Sequence, residues 1–143
     1  MASTYETDVV AWANEQAALL RSGNLSALDI EHIAEEIEDV GKSEKRELAS
    51  RMVVLLAHLL KWKFQPTFRG KIWQNTIAVQ RLDIAYELDD VPSLKLSLQD
   101  EKWLNLVWKK AIVSASNETG LDNFPDVNPW TIDQVLSDGF WPE

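Results

Sequence analysis

Apolar residues recur along this chain at three- and four-residue intervals, the spacing of one helix face. No stretch alternates apolar and polar residues for long enough to make a strand. Between Asp8 and Ser22 the stripe is Val9, Trp12, Ala13, Gln16, Leu19 and Leu20, and Gly23 supplies a stop. From Asp29 to Val40, Ile30, Ile33, Ile37 and Val40 share one face, and Gly41 permits a break or kink. A third helix is predicted from Ser43 through Leu48, Met52, Leu55, Leu59 and Trp62, ended by Pro66. A fourth, from about Gly70 to Asp89, aligns Trp73, Ile77, Ile84 and Leu88, and Pro92 and Ser93 break it. A fifth, from about Leu96 to Glu118, aligns Leu104, Val107, Trp108, Ala111 and Ala115, and Gly120 closes it. Each stripe has core-facing width, so each helix is expected to find a partner face.

The tail segment FPDVNPWTIDQVL carries the sharpest local signal. Thr131 and Gln134 have capping-box spacing, and Trp130 and Val135 can staple across it. The tail is therefore predicted to fold as a short helix clamped by Trp130, Phe140 and Trp141. Connections are short, which favours antiparallel neighbours. The predicted fold is all-α: an antiparallel helical bundle of about five helices plus a short C-terminal helix. Residues 1–143 are expected to form a single domain.

Charge and composition narrow the classes of function. The formal net charge is -9 and the pI is near 4.7, a field that repels a phosphate backbone, so no nucleic acid is expected as partner. There is no cysteine, which removes disulfides, thiolate zinc sites and cysteine nucleophiles and suits a reducing cytosol. The start MASTYETDVVAW lacks a signal peptide's basic and apolar regions. The longest apolar run, MVVLLA, is far too short for a membrane span. A cytoplasmic protein with no membrane partner is expected. The seven tryptophans suit both cores and interfaces.

Polar residues that interrupt the stripes are the candidates for chemistry. At about 100° per residue, His58 lies beside Leu55, Leu59 and Trp62. Gln80 falls within the stripe of Trp73, Ile77 and Ile84, with Arg81 at its edge, and Glu36 flanks Ile33 and Val40. Glu118 extends the fifth stripe. Glu36, His58, Gln80 and Arg81 could thus meet inside a bundle. They would form either a hydrogen-bonded network that fixes helix register or a pocket. In the pocket, Glu36 or His58 would act as a base and Arg81 would hold an anionic substrate.

No metal and no cofactor are expected. Di-metal bundles use Glu-x-x-His motifs, but the residues three before His32 and His58 are Asp29 and Leu55. His32 and Glu36, one turn apart, read more simply as an exposed pair. The five glycines form no phosphate loop.

A basic-aromatic island stands out on this acidic chain. Trp62, Lys63, Phe64, Phe68, Arg69 and, from the tail, Trp141 make a candidate interaction surface. The simpler reading is that the lysines complement a helix C-terminus and the aromatics pack the corner at Pro66.

Several stretches together resemble a known family. LDIEHIAEEIEDVGKSEKRELASR, HLLKWKFQP, the W-x₃-I-x₃-R step at Trp73, Ile77 and Arg81, PSL at Pro92, FPDVNPW and the closing FWP occur in this order. The chain is similar, from Tyr5 to Pro142, to domain-of-unknown-function family twenty-nine, a bacterial and mostly cyanobacterial family. The resemblance implies a stand-alone, all-helical, cytosolic protein and supplies no catalytic residues. One departure is Asn128, where many members carry cysteine. The expectation is a non-catalytic interaction module, self-associating or bound to a protein partner. The alternative is a small enzyme or ligand-binding protein using the Glu36, His58 and Arg81 set.

Overall fold

The computed structural model describes residues 4–143. Among the described residues no strand forms, and five α-helices follow in order: α1 (Val9–Ser22), α2 (Ile30–Phe64), α3 (Lys71–Asp90), α4 (Glu101–Thr119) and α5 (Ile132–Leu136). Short 3-10 segments lie at Leu25–Ala27, Pro66–Phe68 and Pro92–Gln99. None of the helices is long and apolar enough to cross a membrane.

The helix ends follow local chemistry. Asp8 caps α1 by accepting from the Ala11 N–H, and Gly23 closes it in the left-handed region at φ 76°. Gly120 closes α4 in the same way at φ 75°. Around α5 both halves of the capping box form between Thr131 and Gln134.

Two expectations about the helices are corrected. The break at Gly41 does not occur: α2 runs unbroken for 35 residues through it. A glycine inside a helix weakens it by about 1 kcal/mol but keeps its N–H and C=O in the ladder, unlike proline. The fifth predicted helix starts later than Leu96. Leu96 belongs to the 3-10 segment, and Asp100 begins α4 by accepting from the Lys102 and Trp103 N–H groups.

The chain divides into two compact units, Met1–Ser43 and Glu44–Glu143, with the boundary inside α2. The second unit holds the core. Leu48, Met52, Leu55 and Leu59 of α2 cluster with Ile77, Ile84 and Leu88 of α3, with Val107, Trp108, Ala111 and Ala115 of α4, and with Val135 of α5. These are the stripes that helical spacing marks out. A buried Leu or Ile here contributes about 1.5–3 kcal/mol of transfer free energy, and the cluster carries the stability of this unit.

The first unit is built differently. Among the described residues its buried side chains are Trp12 and Gln16. The expected core stripe at the start of α2 is not covered: Ile30, Ile37 and Val40 are each about two-thirds exposed, and Ile33 is half-buried.

Candidate interaction surface

In the first unit half-buried polar groups of α2, rather than its apolar stripe, surround the buried Trp12. Asp29 is the hub. It accepts from the Trp12 indole N–H at 2.9 Å, and its Oδ2 lies 2.7 Å from His32 Nδ1. Its own N–H donates to Gln16 Oε1 at 2.8 Å. Tyr5 stacks on His32 at 4.3 Å between ring centroids and meets Trp12 edge-on at 4.8 Å. The Tyr5 hydroxyl donates to Glu36, and His32 Nε2 lies 3.3 Å from Glu6. Aromatic faces and charge-assisted hydrogen bonds thus hold this unit together.

The titrations follow from these contacts. The His32 hydrogen bond lowers the Asp29 carboxyl below its usual range, and the Trp12 indole adds to this. Asp29 in return raises His32, with Glu6 helping. The hydrogen bond to Glu36 pushes the Tyr5 phenol up to about 12, because ionising it would set two anions together.

With its inner face occupied by polar groups, α2 turns its apolar stripe outward. Ile30, Ile37 and Val40 repeat at seven and three residues, a helix-packing seam without a partner. On α1, Val9, Val10 and Leu20 are exposed as well. Glu31 and Glu38 lie about a quarter-turn from Ile30 around α2. The unit as a whole carries nine acidic and two basic residues, a net -7 of the chain's -9. Helix α3 also shows Ile72, Val79, Leu82 and Tyr86 to solvent, but its opposite face is buried in the core of the second unit.

The four residues of the expected polar cluster have separate partners. Glu36 accepts from Tyr5 in the first unit. His58, half-buried, places Nδ1 2.8 Å from the Val54 carbonyl and Nε2 3.4 Å from Lys61 Nζ. Gln80 Oε1 is enclosed and accepts no hydrogen bond. Arg81 is buried and donates to the carbonyls of Val135 at 2.9 Å and Phe140 at 2.8 Å, with its guanidinium over Trp141. Among the described residues no hydrogen bond or ion pair joins any two of His58, Gln80 and Arg81 within the second unit. Lys61, in sequence one more lysine of the basic-aromatic island, is instead 6% exposed, pairs with Glu118 and lies over Trp73. Its i+3 offset from His58 was the available signal.

The basic-aromatic corner meets the chain's own tail. Trp62 packs on Trp141 at 4.6 Å, and Phe64 meets Phe124 edge-on at 5.2 Å. Arg69 donates to the carbonyls of Trp62 and Pro142, and Lys63 to that of Glu143. Phe68 stays two-thirds exposed and Trp141 about one-third.

The fold is that of an all-α protein in which each of the two units is held by its own chemistry. The chain belongs to the family described as Domain of unknown function DUF29, whose model matches residues 4–141. No curated protein and no solved structure matches it significantly.

Proposed function

We propose that the protein is a non-catalytic interaction module whose first unit receives a basic amphipathic helix from a partner protein. The observation that carries this reading is the arrangement of the first unit: half-buried polar side chains of α2 around Trp12, and Ile30, Ile37 and Val40 exposed. An apolar seam at helical spacing is the complement of another helix's apolar face. The charge of the unit selects the partner's chemistry. A second copy would bring another -7 against the first, whereas a lysine-rich helix would be attracted to the acidic residues beside the seam. The separate partners of His58 and Arg81 within the second unit favour this reading over an enzymatic pocket.

The test is titration of the full-length protein with a lysine- and leucine-patterned helical peptide, followed by fluorescence anisotropy at low and high salt. Binding should weaken with salt, and Ile37→Ser with Val40→Ser should reduce it by about tenfold or more. Both positions are exposed, so circular dichroism of the double variant should be unchanged. Absence of peptide binding would sink the reading. So would a homodimer in sedimentation that the double variant dissolves, since the occupant would then be a second copy.

A further inference from the structure

Within the second unit, Glu44, Glu47 and Arg51 follow one another along a single edge of α2, and Asp83 and Glu87 do so along α3. Oxygens of Glu44, Glu47 and Glu87 all lie within 4.8 Å of one another. With Asp83, Tyr86 and Asp90 close by, they line a cleft of about 290 Å³. Five carboxylates therefore confront one guanidinium. Arg51 donates to Asp83 at 2.9 Å and to Glu47 at 3.1 Å, and its Nε stands 3.3 Å from Glu87 Oε2.

Glu87 is the residue this arrangement does not satisfy. It is 9% exposed, both of its carboxylate oxygens are enclosed, and neither accepts a hydrogen bond. Its one ion pair, with Arg51 Nε at 3.3 Å from Oε2, lacks hydrogen-bond geometry, so the buried carboxylate has lost its hydration with only that charge in return. Burial, followed by the charge of Glu47, pushes its carboxyl up; Arg51 opposes this, and Glu44 and Asp83 add to it. A cation placed among the three glutamates would engage the enclosed oxygens that accept no hydrogen bond. Hard divalent ions take carboxylate oxygens, and calcium holds them at about 2.3–2.6 Å, so opposed ligands stand roughly 5 Å apart. The 4.8 Å spread of the three oxygens fits that span.

We propose that Glu44, Glu47 and Glu87 form a binding site for a hard divalent cation of calcium or manganese size, held between α2 and α3. The glutamates supply oxygen ligands from two helices, and Arg51 occupies the outer side as a competing positive charge. This site is independent of the docking face in the first unit.

The experiment is calorimetric titration of the full-length protein with calcium chloride and, separately, manganese chloride. One ion per chain should bind, with an affinity in or below the roughly millimolar range of weak carboxylate sites. Glu44→Gln, on a half-buried residue, should weaken binding by about tenfold, and Glu87→Gln by at least as much. Arg51→Gln separates a cation site from a mere ion-pair cluster. It should bind the ion more tightly than the wild type, and the ion should restore the melting temperature that the substitution lowers. No saturable binding up to about 10 mM, or binding that Glu44→Gln and Glu87→Gln both leave unchanged, would overturn the proposal.

Discussion

The two halves of α2 present a controlled contrast, because one helix serves both units. From Glu44 onward its apolar residues sink into a cluster with α3, α4 and α5. Before that point the same kind of stripe, with the same spacing, lies open to water, and the side chains that face inward are Asp29, His32 and Glu36. Hydrophobic burial holds the second unit, which carries a net -2 from 14 acidic and 12 basic residues. Hydrogen bonds to carboxylates and aromatic stacking hold the first, which carries -7. An apolar stripe is thus a property of the sequence, whereas its burial is a property of what lies opposite it.

The largest expected effect exploits this contrast directly. Leu59→Ala empties a fully buried position and should cost about 3 kcal/mol in denaturant unfolding. Ile37→Ala, on the same helix but in the first unit, should cost under about 0.5 kcal/mol. Equal losses at the two sites would break the comparison, since Ile37 would then be covered in solution. Next in size is Arg81→Ala. It leaves the Val135 and Phe140 carbonyls without their donor, and about 2 kcal/mol should be lost. Hydrogen exchange should rise in the segment from Val135 to the tail and stay unchanged in α1. An increase spread evenly over both units would show that Arg81 does not act through the tail.

Most of the second unit was legible from spacing. The stripes at Leu48, Met52, Leu55 and Leu59, at Ile77, Ile84 and Leu88, and at Val107, Trp108, Ala111 and Ala115 are buried together, because period-3.6 patterning selects the buried face when other helices lie nearby. The capping box at Thr131 was legible because it depends on side chains within three residues. The first unit was not. The contacts of Tyr5 with His32 and Glu36 join residues about thirty positions apart, and spacing along one helix carries no information about them. Glu87 shows the same limit: its neighbour Asp83, one turn earlier on α3, is visible in the sequence, but the approach of Glu44 and Glu47 is set by the packing of α2 on α3. Arg81 was singled out as a polar residue at the edge of a buried stripe. Its partners, backbone carbonyls of the tail, have no side-chain signature.

A smaller effect concerns the junction. Gly41 sits inside α2 with nothing within 4 Å of where a Cβ would stand. Gly41→Ala should stabilise the helix by about 0.5–1 kcal/mol, because glycine loses more backbone freedom on folding. The gain should appear as slower hydrogen exchange around residues 37–45. No change, or a loss, would indicate that α2 opens at Gly41 in solution.

The two histidines, one in each unit, give the finest test. His32 faces Asp29 and Glu6, and its folded value is raised. Its contribution is therefore complete below the ordinary histidine value of about 6.5 and fades as pH rises through the raised folded value. Asp29 is lowered by the same contact, so its contribution is present above the ordinary carboxyl range and is lost as pH falls through the lowered value. His58 has the opposite surroundings. With Nδ1–H donating to the Val54 carbonyl, Nε2 faces the Lys61 ammonium as an acceptor. Protonating Nε2 would bring two cations together in a half-buried site, and burial with the Lys61 charge lowers its value. Its contribution is present above the ordinary value and fades as pH falls through the lowered one. A proton NMR titration of the two imidazoles should thus find His32 protonating first as pH falls, and His58 well after it. Lys61→Met should move His58 back toward the ordinary value and leave His32 where it was. Coincident midpoints, or a reversed order, would mean that the carboxylate pairing of the first unit or the burial of the second does not persist in solution.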